Sequence, residues 1–347
     1  MRSVLQLRAS EGVGSAARNG LNGDAQIEMA HGAGGKATRR LIDGIIAPLL
    51  LPHVTEALGD SALVDVNGSG IAITTDAFVV TPLRFPGGSI GELAVNGTVN
   101  DIAVSGATPL AMVASFVLEA GLPMRVLEAE VRAMAQAASE AGIAIVGGDT
   151  KVVEHGKADQ MYITTTGIGL LRPGLTLGPR SVRPGDKIVV SGPIGDHGIT
   201  ILLARGELDL EADLRSDTRS VLPLVDAMLS VAGAGVRWMR DPTRGGVATT
   251  LNELALDTGL GIHLVEEWLP VRDEVRGACE LLGLDPLHIA NEGQFLAIVA
   301  AEYAEVVPGT IIGEVKDEPA AAVLVTTGYG GSRIVDMLVG DPLPRIC

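Results

Sequence analysis

The chain ends in a cysteine, Cys347, at the tip of a stretch that cannot fold as a regular helix: Gly340-Asp341-Pro342-Leu343-Pro344-Arg345-Ile346-Cys347. A thiol on an extended tail can swing into an active site as a carrier arm. Arg345 beside it can anchor the tail on acidic surface. Two plainer readings stand alongside: an incidental residue on a loose terminus, and an intermolecular disulfide, which a reducing compartment opposes. A prenylation signal is excluded, since that requires the cysteine about four residues from the end. The second cysteine, Cys279, has apolar neighbours and reads as core. Two thiols make no disulfide framework, and no Cys/His spacing fits zinc.

The second chemical signal is a set of aspartates at turns and strand ends. Asp60 precedes a β-rich run, Asp76 ends the next, and Asp101 follows Asn100 in a helical stretch. Asp149 follows Gly147-Gly148, and Asp241 opens Asp241-Pro-Thr-Arg-Gly-Gly246. Magnesium takes hard oxygen ligands, and nucleotide sites supply a few carboxylates beside the phosphates. Any one of these aspartates alone reads as a turn former or cap. Five in glycine-rich settings favour a metal.

Glycine-rich entries to helices are the third signal. His31-Gly32-Ala33-Gly34-Gly35-Lys36 opens a helix whose bare amides could take phosphate. The spacing is neither a P-loop nor a strand–GxGxxG–helix unit, so an ordinary helix entry reads equally well. Gly195-Asp196-His197-Gly198 and Thr243-Arg244-Gly245-Gly246 are similar, and Arg244 could bind phosphate or cap a carbonyl.

Positioning such groups takes a mixed α/β scaffold. Strands are predicted at Ala62–Val66, Ile71–Thr75, Met112–Leu118, Ile143–Val146 and Tyr162–Leu170. Helices are predicted at Lys36–Leu50, Ile90–Ser105 and Met124–Ala141. The turn-rich stretch from Arg172 to Asp186 marks a domain boundary. A buried strand, Lys187–Ser191, opens the second half, with a helix from about Asp196 and others near 217–231, 246–258 and 271–282. Further strands are expected at Ile262–Val265, Phe295–Ala300, Ile311–Val315 and Ala322–Thr326. The expected division is an extension over 1–26, a first domain over 27–175, a second over 176–335 and a mobile tail over 336–347.

Composition agrees. The 347 residues exceed one comfortable core, and aromatics at 3% leave Val, Ile, Leu and Ala to build it. A net charge of −16 repels phosphate backbones and anionic lipid, so no nucleic-acid or membrane partner is expected. No apolar run reaches the roughly 20 residues of a membrane helix. The first 26 residues do not read as a secretory signal, and a cytoplasmic location is expected.

Several motifs, in order, resemble the HypE family of hydrogenase maturation proteins, within the superfamily of aminoimidazole ribonucleotide synthetase, selenophosphate synthetase and thiamine monophosphate kinase. They are His31-Gly-Ala-Gly-Gly35, Thr75-Asp-Ala-Phe-Val-Val80, Phe85-Pro-Gly-Gly88, Asn96-Gly-Thr-Val-Asn-Asp101 and Gly147-Gly-Asp-Thr-Lys151. Gly195-Asp-His-Gly198, Arg240-Asp-Pro-Thr-Arg-Gly-Gly246, Asn291-Glu-Gly293 and the closing Pro344-Arg-Ile-Cys347 complete the set. Ala77, where the family often has Ser, is a small departure. The resemblance implies a two-domain PurM-like ATP-binding fold that dimerises through its N-terminal domains. It implies ATP held by residues such as Gly32, Gly34, Gly35, Asn96, Asn100, Asp149, Thr150 and Arg244, and Mg²⁺ on Asp60, Asp76, Asp101 and Asp241.

The same resemblance implies a reaction. The carbamoyltransferase HypF loads a carboxamide on Cys347, ATP drives its dehydration to a thiocyanate, and the cyano group passes to a HypC–HypD complex. Phosphorylation makes the carboxamide oxygen a leaving group, and a base must then take protons from nitrogen. Glu292 is the expected base. Lys151 could steer phosphate or a proton, with His155 and His197 as further candidates. Two rivals remain: a small-molecule kinase or synthetase of the superfamily, and a non-enzymatic scaffold that assembles a metal site. The first glycine loop lacks the thiol or selenol that a selenophosphate synthetase would carry.

Overall fold

The computed structural model describes residues 26–340, 343 and 345–347, except 53, 55–57 and 207–211. Residues 1–25 of the expected extension, and 341, 342 and 344 of the tail, lie outside the described residues. Helix α1 (Lys36–Leu41) runs through a wider turn, Ile42–Ile46, into α2 (Ala47–Leu50). The predicted helix over 36–50 is therefore continuous.

The first domain contains β1 (Ala62–Val66), β2 (Ser69–Phe78), a small hairpin of β3 (Arg84–Phe85) and β4 (Gly88–Ser89), α3 (Ile90–Val104), β5 (Ala107–Glu119), α4 (Met124–Ala141), β6 (Ala144–Val153) and β7 (Met161–Leu171). Its sheet has the order β1-β2-β7-β5-β6. All neighbours are antiparallel except β5 and β6, which run parallel because α4 carries the chain between them. Ser89 caps α3, its hydroxyl accepting the Glu92 amide. Gly142, with φ 67°, closes α4 in the left-handed conformation that glycine tolerates best. Helix α3 is buried at every residue except Glu92. Such an all-round apolar helix must be covered on both sides. The sheet and α4 cover α3 within the first domain, and α6 and β9 of the second domain meet what is left.

The second domain contains β8 (Lys187–Val190), α5 (Asp196–Ala204), α6 (Leu222–Ala232), β9 (Val236–Arg240), α7 (Gly246–Thr258), β10 (Gly261–Val265), α8 (Asp273–Leu282), β11 (Leu296–Val299), β12 (Thr310–Lys316), β13 (Ala322–Thr326) and β14 (Ser332–Val335). They form a seven-stranded mixed sheet, β14-β13-β10-β12-β8-β11-β9. One core packs Val247, Leu251 and Leu254 of α7 on Ile188, Ile262 and Ile298; another packs Val225 and Met228 of α6 on Val189, Phe295 and Ala297. Ala103 and Val104 of α3 join the second core, so the two domains share it.

Three details depart from the sequence reading. Helix α6 begins at Leu222, not near 217, because the preceding stretch runs extended between the domains: the Ser216 amide donates to Pro86 O at 2.9 Å. Strands β9 and β14 were not anticipated. Both are short, carry Arg and lie at the sheet's edges, where alternation is weakest. Strand β6 continues through Gly147-Gly-Asp-Thr-Lys151, so that motif lies within a strand and not after one.

Candidate active site

The tail is docked. From the end of β14 it passes over the first glycine loop. The amides of Lys36 and Ala37 donate to the carbonyls of Leu338 and Val339 at 2.9 and 3.3 Å, and Lys36 pairs with Asp336. Gly35 permits this approach, since a Cβ there would stand 2.3 Å from the Leu338 oxygen. The Gly34 amide donates to Thr38 Oγ1 at 2.9 Å. Gly34 and Gly35 thus lie where the tail crosses the loop, and Gly32 lies beside Arg244. In this arrangement the helix-entry amides hold the tail and their own turn. Arg244 braces the loop through the Gly32 carbonyl at 2.9 Å.

Further on, Leu343 and Ile346 are buried in a core cluster drawn from both domains, with Ile199, Val275 and Ile289. The last residues add to the strand edge after β2: the Thr81 amide donates to Arg345 O at 3.4 Å and the Val79 amide to Cys347 O at 3.0 Å. Arg205 donates to Arg345 O at 2.8 Å, and Arg345 pairs with Asp159. The sequence implied a mobile arm; the structure supplies its docked position.

At the end of this path the Cys347 thiol is within hydrogen-bonding reach of the Glu292 carboxylate. Burial first, then the Glu292 charge, raise the thiol well above its ordinary range. Burial, then the charge of Asp217, push Glu292 up to about 8. Its Oε1 is buried without a polar partner, so one of its two oxygens is left unused by the fold. Arg244 and Asp76 act electrostatically on the same pair.

Beside it lie the aspartates. One carboxylate oxygen from each of Asp60, Asp101 and Asp241 falls within 4.8 Å of the others. Asp60 comes from the turn before β1, Asp101 from α3 and Asp241 from the end of β9, so both domains contribute. Asp76, on β2, hydrogen-bonds with Asp101, which also accepts Thr74 Oγ1 at 2.6 Å. Burial, followed by mutual repulsion, raises Asp101 and Asp241 well above the usual carboxylate range. Crowded carboxylates that resist ionising suit a divalent cation, which would relieve that repulsion. Arg240, which sequence reasoning passed over, grips Asp60 at 2.7 Å and Glu253 at 2.9 Å. Its place in the Arg240-Asp241 motif was the available signal.

Other predicted residues serve elsewhere. Asn100 binds backbone, accepting the Val221 amide at 2.8 Å and donating to Arg219 O and Glu292 O at 3.0 and 3.3 Å. It therefore staples the domains. Asn96 faces a separate cavity of about 280 Å³ with Glu92, Gln136 and Arg219. Asp149, Thr150, Lys151 and His155 are on or just after β6, all exposed. Lys151 pairs with Asp149 at 2.7 Å and His155 with Glu119 at 3.0 Å. Among the described residues, no hydrogen bond or ion pair joins these four to Cys347, Glu292 or the aspartate cluster. His197 is buried, with both ring nitrogens engaged.

Residues 58–171 match the N-terminal domain of AIR synthase related proteins, and residues 183–325 match the C-terminal domain. The carbamoyl dehydratase HypE of Azotobacter vinelandii is 48% identical, covering 93% of this chain and 98% of its own length. The HypE of Escherichia coli K12 is 43% identical over 92% and 99%. Among solved structures, a HypE–HypF complex superposes with a TM-score of 0.80 at 43% identity, covering 86% of this chain and 99% of that one. A HypE in complex with ATP superposes at 0.76 and 42% identity, covering 92% and 99%. A thiamine monophosphate kinase at 23% identity and 0.69 shares the fold. With near-complete coverage and closely similar structures, the chain belongs to the carbamoyl dehydratase HypE family.

Proposed function

We propose that this chain is an ATP-dependent dehydratase that converts a carboxamide on its own Cys347 into a thiocyanate, as a step in hydrogenase maturation. The observation that carries this reading is the docked thiol beside an unpartnered Glu292 oxygen and next to the aspartate cluster. The overall change is Cys–S–C(=O)NH₂ plus ATP to Cys–S–C≡N plus ADP and phosphate. The carboxamide oxygen leaves with the transferred phosphoryl group, and nitrogen gives up both hydrogens as the triple bond forms.

Glu292 is placed to take a proton from that nitrogen. A carboxylate raised to about 8 is a far stronger base than an ordinary one and is matched to neutral pH. Asp60, Asp101 and Asp241, with Asp76 behind them, would hold Mg²⁺, which supplies charge neutralisation around phosphates. Loading belongs to an undocked tail, because a buried, protonated thiol is a poor nucleophile. Once carbamoylated, the sulfur has no proton to lose, and the tail can return to the place it occupies here.

The solved HypE–HypF complex supports HypF as the donor partner, and a HypC–HypD complex is the proposed recipient. A homodimer through the first domain is supported by β6, exposed on almost its whole length with Ile145, Val146 and Val152 uncovered. Lys151, His155, Asp149 and Thr150 are on or next to that strand and would enter a dimer interface. No helix among the described residues is long and apolar enough to cross a membrane, and a cytoplasmic location fits the reaction.

The direct experiment is mass spectrometry of the C-terminal peptide after incubation with HypF, carbamoyl donor and ATP. Cys347 is expected to gain a carboxamide and then lose one water in a step that requires ATP. A Cys347 that stays unmodified, or a carboxamide that persists with ATP and magnesium present, would refute the reading.

A further inference from the structure

His197 resembled an acid–base residue in the sequence, but its bonds give it another task. The ring is fully buried, and that burial lowers its pKa to about 4, so it is neutral. A neutral imidazole donates from one nitrogen and accepts at the other. Nε2 is 2.7 Å from the Ile346 carbonyl, which can only accept, so Nε2 carries the hydrogen. Nδ1 then accepts from the Ser216 hydroxyl at 2.8 Å, and Ser216 Oγ in turn accepts the Thr218 amide at 3.1 Å. Every donor and acceptor along this line has its direction fixed, and the line ends on the peptide group that joins Cys347 to the chain.

Asp217, between Ser216 and Thr218, holds the other reactant. Its Oδ1 accepts the backbone amide of Glu292 at 3.1 Å. The two segments touch closely: a Cβ on Gly293 would stand 1.7 Å from the Asp217 carbonyl oxygen. The stretch is tied to the first domain as well, through the Ser216 amide on Pro86 and through Gly87, where a Cβ would meet Ser216 N and O at 2.8 Å. This short stretch is thus linked to the Cys347 segment through the His197 ring on Ser216, and to the Glu292 segment directly through Asp217.

We propose that Ser216-Asp217-Thr218 is a registration element that sets the docked thiol against Glu292, with His197 and Asp217 as positioning residues that take no part in proton transfer. Its purpose rests on the proposed reaction of that pair, whereas its geometry does not.

The test is alkylation of Cys347 by iodoacetamide in the full chain without nucleotide, read by peptide mass spectrometry, with buried Cys279 as an internal folding control. In the unmodified protein Cys347 is expected to react far more slowly than a free thiol. His197→Ala removes the donor to Ile346 and should speed Cys347 alkylation by about tenfold or more, the worth of one buried hydrogen bond. His197→Gln keeps a donor and should recover most of the protection. Ser216→Ala leaves the ring in place but frees it to turn, and should give an intermediate rate with Cys279 still slow.

A Cys347 rate unchanged by both His197→Ala and Ser216→Ala would overturn the proposal. So would a Gln variant no better protected than the Ala variant. If His197→Ala also exposes Cys279, the protein has unfolded and Ser216→Ala decides the matter. Altered protection without any HypF-dependent carboxamide on Cys347 would keep the positioning role and sink the dehydratase reading instead.

Discussion

At the scale of single residues, the site is a meeting of groups that would not share a pocket without a purpose. Glu292 is harder to ionise in the folded chain than an ordinary carboxyl group. Its pKa of about 8 lies above the ordinary carboxylate value because of burial and the Asp217 charge. A group with a raised folded pKa lends stability at low pH, and that contribution fades as pH climbs from its unfolded value to its folded one. Glu292→Gln cannot ionise. Its stability should match the parent's near pH 4.5 and exceed it increasingly toward about pH 8, by up to about 1.4 kcal/mol per pH unit, with the melting temperature following. The same variant should lose dehydration of carbamoylated Cys347. Thermal melts across pH, beside the mass assay, check both. Asp101→Asn should behave in a parallel way: a higher melting point without metal, since it removes a charge from a crowded cluster, and at least about tenfold weaker Mg²⁺ binding by calorimetry. Unchanged affinity would take Asp101 out of the metal site. The sequence singled out the aspartates through their glycine-rich turns, Cys347 through its place on a proline-broken tail, and Glu292 only through the family resemblance. It left Asp217 and Arg240 unread, because their roles depend on which backbone amide or carboxylate lies opposite, and only tertiary packing decides that.

At the scale of elements, the sequence pattern located most helices and strands, since α/β cores keep clear periodicity. Helices α3 and α4 follow their apolar spacing closely. It failed where an element's environment outweighs its pattern. The stretch before α6 has helical residues, yet its backbone bonds are spent on Pro86 and Asn100. The first glycine loop looked like a phosphate cradle, and here its amides seat the tail. The consequence is testable. Gly35→Val would drive a side chain into the Leu338 carbonyl, 2.3 Å from where its Cβ must stand. The variant should fold, keep Cys279 protected, and expose Cys347 to alkylating reagent several-fold faster, about 1–2 kcal/mol of lost docking. Equal reactivity would mean that the loop does not govern the tail.

At the scale of the molecule, two sheets enclose α3, and the aspartates reach the cleft from both domains. The first sheet's far edge is unfinished: Val146 and Val152 are 67% and 68% exposed on a strand with one neighbour. An uncovered apolar edge of that kind invites pairing with another chain. Val146→Asp with Val152→Glu should turn a dimer into a monomer in sedimentation velocity. If the parent chain is itself monomeric at micromolar concentration, the proposed dimer fails.

The docked tail has one more consequence, for kinetics. A reactant that rides on the polypeptide's own end needs no binding equilibrium, and its local concentration is set by tether length and by the grip on Ile346. Dehydration should therefore be first order in loaded chain and indifferent to dilution. On the proposed reaction, each molecule would process one equivalent before it must be recharged, so output would depend on delivery of the carbamoyl group as well as on chemistry at Cys347.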